Sequence, residues 1–316
     1  MADQADKLRM LAAEIRNRPA SGPVKPGQAS AAKAPKGIKG DLPYSAPPRA
    51  RVIAISSGKG GVGKSNLSIN LALSLCKLGR QVILFDADLG LANADVLLGL
   101  QPRYNLTHFF QGGRSLQEIM VEGPLGLKVI PSGSGISQLA DLGVQERERV
   151  LSHFALIEDQ ADYLLVDTGA GISKNVTSFA QAADEVIVVT TPEPTARLDA
   201  YGLIKVLASE NYAGKLQVVV NMAESPAEGE EVGRLMETLA TRFLNAHVEM
   251  LGMIPRDRSV QLAVRAQKPF SLEYPDSPAS QAVLAIASKI SQVHMAPSGS
   301  GGMKAFLERL GGLLKR

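Results

Sequence analysis

Residues 51–75 read RVIAISSGKGGVGKSNLSINLALSL, and this stretch decides the fold. Its first seven residues are a continuous, mostly apolar run, the pattern of a strand covered on both faces. Leu67, Leu71 and Leu75 then recur at helical spacing. Between them lies Gly58-Lys59-Gly60-Gly61-Val62-Gly63-Lys64-Ser65. A glycine-rich loop between a strand and a helix is the context that a phosphate-binding loop requires. Glycines let the backbone turn its N–H groups toward phosphate oxygens, and the helix adds its positive N-terminal end. Lys64 is placed to reach the β- and γ-phosphates, and the Ser65 hydroxyl to ligate Mg2+. The nucleotide-binding set therefore runs from Gly58 through Asn66.

The same reading extends along the chain. Strands are expected at 51–57, 81–86, 127–131, 163–167, 185–191, 216–221 and 248–254. Helix-period segments separate them, so the fold class is α/β, a doubly wound and mostly parallel sheet with helices on both faces. Ligands of such a sheet sit at the carboxyl ends of its strands. Three carboxylates fall there. Asp86 and Asp88 follow the second strand, and Asp167 ends the strand YLLVD, before Thr168-Gly169-Ala170-Gly171. Asn221 ends the strand VVVN, and an Asn amide can pair with both N6 and N7 of adenine. Asn221 is followed by Met222 and Ala223, so the Asn-Lys-x-Asp signature of guanine recognition is absent and ATP is favoured.

The net charge of +3 conceals a division. Residues 1–49 hold nine Lys/Arg against four Asp/Glu, and residues 303–316 hold four against one. The body between them is net acidic, which argues against a surface that coats DNA. A single cysteine excludes a disulfide scaffold or a four-cysteine zinc site and fits a reducing cytoplasm. No run of 18 apolar residues suggests a transmembrane helix, and the N-terminus lacks a secretion signal's apolar core.

Five segments are expected: a short amphipathic helix within 1–18, a linker at 19–49, the nucleotide-binding body at 50–295, a linker at 296–302, and an amphipathic helix at 303–316. On a helical wheel Met303, Phe306, Leu307, Leu310, Leu313 and Leu314 share an arc of about 120°. At about 20 Å the segment is too short to span a bilayer. It suits an interfacial helix whose basic residues face anionic headgroups. Gln4 lies within the apolar face of the N-terminal helix, as in a helix that folds on a partner.

The second lysine of the loop, Lys59, gives a resemblance to the deviant Walker A ATPases, the family of MinD and ParA. That resemblance implies that Lys59 crosses an ATP-dependent homodimer interface to the partner's nucleotide. It implies that Asp88 orients the attacking water, that Asp86 lies near the magnesium, and that Asp167 holds Mg2+ through water. Lys59, Lys64 and Asp88 are then the catalytic residues, and Ser65, Asp86 and Asp167 serve the metal. Ile254-Pro255-Arg256-Asp257 resembles the family's second base-contacting loop, adding Pro255 and Asp257. Asp3-Gln4-Ala5 with Leu8 and Arg9 resembles the activator helix of the FlhG (FleN) group, MinD-like regulators of flagellar number. This implies an FlhF-type signal-recognition GTPase as partner, with Gln4 presented to it, and anionic inner-membrane lipids bound by the tail at the cell pole. Asp199 falls near that group's partner surface, and a flagellar transcription regulator or a C-ring component are further candidate partners. The sequence departs from the family's usual motifs at Ser65, where Thr is commoner, and at Thr168-Gly169.

Overall fold

The structure is a computed structural model that describes residues 49–88, 94–131, 133, 144–292 and 301–315. Its strands are β1 (Arg51–Ser57), β2 (Val82–Ala87), β3 (Val121–Glu122), β4 (Lys128–Ile130), β5 (Tyr163–Ala170), β6 (Glu185–Thr190), β7 (Lys215–Ala223) and β8 (Val248–Pro255). They form one sheet in the order β3-β4-β2-β5-β1-β6-β7-β8. Every pairing is parallel except β3 with β4. Seven strands lie where the sequence placed them, within two residues at either end except β5, which runs three residues further than expected. The antiparallel edge strand β3 has only two residues, too few to carry a periodicity.

The helices are α1 (Lys64–Lys77), α2 (Ala94–Leu98), α3 (Leu106–Phe110), α4 (Leu116–Ile119), α5 (Val144–Glu158), α6 (Lys174–Ala182), α7 (Pro194–Ser209), α8 (Pro226–Leu244), α9 (Arg258–Arg265), α10 (Phe270–Glu273), α11 (Pro278–Gln292) and α12 (Met303–Leu314). They cover both faces of the sheet, which is why its strands read as unbroken apolar runs. Along β1, Val52 and Ala54 face one core, while Ile53 and Ile55 face the other. The first core is closed by Phe154 of α5, Phe179 of α6, Leu203 of α7 and Val232 of α8. The second is closed by Leu67 and Leu71 of α1 and by Val283 and Ile286 of α11.

The tail differs from expectation. Residues 46–316 make one compact unit, and α12 is part of it. Met303, Phe306, Leu307 and Leu310 are buried in the first core, and Leu313 and Leu314 pack against it. The face assigned to lipid is seated on protein. An amphipathic wheel fixes which face is apolar, and either destination satisfies it. No helix among the described residues is long and apolar enough to cross a membrane. Asp3, Gln4, Leu8 and Arg9 lie outside the described residues, as does most of both linkers.

Candidate nucleotide site

The loop between β1 and α1 is shaped by glycines with different duties. Gly61 and Gly63 have φ of +82° and +87°, a region that costs other residues energy. Gly58 is needed for space. A Cβ there would stand 2.0 Å from the main-chain oxygen of Asp199, so the loop is pressed against α7. Asp199, expected as a partner contact, thus contributes its backbone to the seat of the loop. Gly58→Ala is expected to displace the loop and lower ATP turnover at least about a hundredfold, since misplaced phosphate contacts are costly. Steady-state phosphate release checks this, and a variant within threefold of wild type would contradict it.

Behind the loop, β2 and β5 bring Asp86 and Asp167 into register as neighbours. Both are buried. Lys64 donates from Nζ to Asp167 Oδ1 at 2.7 Å. Ser68, one turn along α1, donates from Oγ to the same oxygen at 2.8 Å. The sequence reading missed Ser68, whose signal is its place one turn after Lys64 on the buried side of α1. Asp167 Oδ2 is buried and unpartnered. That oxygen, the Asp86 carboxyl and the half-buried Ser65 hydroxyl are hard oxygen donors of the kind Mg2+ takes, directly or through water. The residues present therefore fit the ion.

Asp86 accepts the N–H groups of Asp88 at 3.1 Å and Ala94 at 3.3 Å. Burial, and then the Asp167 charge beside it, push its carboxyl from 3.8 up to about 7. Between those values the folded chain holds a proton that the unfolded chain has released. Stability of the nucleotide-free chain is therefore expected to fall as pH rises from 4 to 8, by up to ~4 kcal/mol from this group. Urea unfolding at pH 5 and pH 8 measures it, and equal stabilities would count against a raised Asp86. Asp88 is half-buried and lies near Gly169, where a Cβ would be 3.8 Å from Asp88 Oδ1. The expected water-orienting residue thus stands beside the carboxyl end of β5.

At the base end, a cavity of about 90 Å3 is lined by Gly63, Asn66, Leu67, Asn221, Pro255 and Phe270, among others. Asn221 donates from Nδ2 to the Val62 carbonyl at 2.8 Å, which ties the base end to the phosphate loop. Asp257 also borders this cavity, but its carboxylate is engaged. Oδ1 accepts from Ser259 N at 2.9 Å, capping α9, and Oδ2 accepts from Ala279 N at 3.0 Å. These bonds fix the loop and hold Asp257 on the wall of the cavity, where the resemblance expects contact with the base.

Lys59 turns away from Lys64. Its Nζ donates to Glu193 Oε1 at 2.9 Å and to Thr195 Oγ1 at 2.8 Å. That bond, foremost, holds the exposed Glu193 carboxyl below its ordinary range. A cavity of about 450 Å3 opens beside it, between Gly60-Gly61 and Thr191, Glu193, Met222 and Arg256. Glu193 and Thr195 as holders of Lys59 were not read from the sequence, because the contact joins residues more than 130 positions apart.

Residues 49–291 match the family described as ParA: NUBPL iron-transfer P-loop NTPase. The chain is 42% identical over 260 residues to the antiactivator FleN of Pseudomonas aeruginosa, covering 82% of this chain and 93% of that protein. It is 37% identical over 267 residues to the flagellum site-determining protein YlxH of Helicobacter pylori, covering 82% and 89%. Among solved structures, the MinD cell division protein of Aquifex aeolicus has a TM-score of 0.61 at 29% identity, covering 78% of this chain and 99% of that one. Its complex with MinC has a TM-score of 0.62 at 30% identity, covering 78% and 98%. The paired buried carboxylates, the glycine loop on Lys64 and these likenesses agree, and the chain belongs to the ParA/MinD family of P-loop ATPases, in the group that includes FleN and YlxH.

Proposed function

We propose that this ATPase is a dimerising, membrane-associating switch that regulates flagellar number and placement. The observation that carries the switch reading is the position of Lys59. This lysine does not reach its own Lys64–Asp167 centre, and it is held instead by Glu193 and Thr195 beside an open cleft. A lysine so placed can serve a nucleotide on a second copy. The flagellar role follows the relatives, one named an antiactivator and one a flagellum site-determining protein.

Bound Mg2+ would neutralise the phosphate charge that develops on hydrolysis. Ser65, Asp86 and Asp167 would hold it. Lys64 leaves Asp167 for the phosphates, and the loop N–H groups cradle them. Asp88 orients water, Asn221 and Pro255 border the adenine, and Lys59 supplies its charge across the dimer. Two tails on one dimer bind an anionic inner membrane far better than one. Hydrolysis dissolves the dimer and releases them. The N-terminal segment with Gln4 stimulates a FlhF-type GTPase at the cell pole.

Asp88→Ala tests this reading. It is expected to form a dimer with ATP and a monomer with ADP, with turnover reduced about 10²–10³-fold. Light scattering after size exclusion, together with phosphate release, measures both. Full activity would remove Asp88 from its role, and a monomer with ATP would remove the dimer. For the partner, a peptide of residues 1–18 is expected to raise the GTPase rate of the FlhF-type protein. No effect would favour a division-site or cargo-positioning ATPase.

A further inference from the structure

Two carboxylates hold α12 in its seat. At its start, Gly302 has φ +98°, and a Cβ there would stand 1.9 Å from Glu158 Oε1. Met303 N donates to that oxygen at 3.0 Å. The helix has no side-chain cap of its own, so Glu158, the last residue of α5, caps it from a distance in sequence. Two turns on, Arg309 donates from Nε to the Ala182 carbonyl at 2.7 Å and pairs through its guanidinium with Asp184 at 2.8 Å. Asp184 also accepts from Val52 N at 3.1 Å and Gly302 N at 3.5 Å. It therefore joins β1 to both the start and the middle of the tail. Asp184 and Glu158 lie at the amino ends of the strands, away from Lys64 and Asp167.

We propose that Glu158 and Asp184 form an anionic latch that competes with an anionic lipid surface for α12. The apolar face of α12 cannot be in the first core and in a bilayer together. Arg309 meets a carboxylate and a carbonyl when seated, and a lipid phosphate offers the same guanidinium an equivalent oxyanion. The departing helix keeps its guanidinium paired, because a lipid phosphate replaces Asp184 at Arg309, while Asp184 retains the Val52 N–H. It holds the tail in the ADP state by a margin that an ATP-linked dimer, with two tails, can overcome.

The inference rests on the membrane reading above, and the test separates the two. The full chain with ADP is sedimented with vesicles of phosphatidylglycerol and phosphatidylethanolamine. Asp184→Asn and Glu158→Ala are each expected to raise the bound fraction about threefold or more over wild type. Phe306→Glu is expected to remove vesicle binding in both nucleotide states. No gain from either latch variant, while Phe306→Glu still removes ATP-state binding, overturns the latch and leaves the membrane reading in place. Undiminished binding of Phe306→Glu overturns the membrane reading itself. Because Asp184 also braces β1, ATP turnover in solution is measured alongside. Glu158→Ala, which touches only the tail cap among these contacts, carries the test if Asp184→Asn does not fold.

Discussion

Lys64→Ala is expected to lower the turnover number for ATP by about a thousandfold, and also to destabilise the nucleotide-free chain in a pH-dependent way. The first effect follows from removing a preorganised positive charge from transferring phosphates, where one such group is worth about 10²–10³ in rate or more. The second follows from the resting structure. Lys64 and Asp167 are paired at 2.7 Å with side chains 6% and 1% exposed. Asp86 lies beside them, also buried, and already titrates at about 7. Without Lys64, two buried carboxyl groups would share the space with no cation. Breaking a buried pair in this way costs about 3–5 kcal/mol. The cost is least at low pH, where a shared proton relieves the repulsion, and greatest near pH 8. Phosphate release measures the first effect, and urea unfolding of the variant at pH 5 and pH 8 measures the second. A stability loss equal at both pH values would mean that Lys64 is not what neutralises this pair.

Much of that centre was legible in residues 51–75. Continuous apolar runs identified the sheet because burial on both faces leaves no polar alternation to read. Loop chemistry identified Lys64 and Ser65 because only glycines permit the turns at Gly61 and Gly63. What escaped the sequence has a common cause, since it depends on what a side chain meets across the fold. Ser68 reads as one more small residue of α1 until β5 places Asp167 against it. Asp257 shows no sign of its bond to the Ala279 N–H until α11 is placed beside it. Gly301-Gly302 reads as a linker, because flexibility and a required positive φ produce the same letter. At Gly302 the glycine is needed for the approach of Glu158. The tail shows the same limit on a larger scale, because lipid and a protein core select the same periodicity.

That ambiguity makes Phe306→Ala decisive. The variant is expected to cost about 3–5 kcal/mol of stability with no membrane present, the usual result of emptying a buried aromatic site. For a body of this size, the melting temperature would fall by about 10 °C. Phe306 is fully buried, and its ring lies 6.4 Å from that of Phe179 in α6, which in turn lies 5.9 Å from Phe85 in β2. Phe85 immediately precedes Asp86, and α6 follows the short loop after β5, the strand that carries Asp167. The tail therefore packs on α6, and through Phe179 it reaches β2, whose end carries Asp86. Interiors are close-packed, so movement at either element is felt at Phe306. This gives nucleotide state a direct mechanical route to the tail, and stabilisation by nucleotide should shrink when the middle ring is not supported. Differential scanning fluorimetry with and without Mg-ADP measures both quantities. A tail that merely hangs from a linker would leave the melting temperature of Phe306→Ala unchanged, and that result would sink the seated helix and the coupling together.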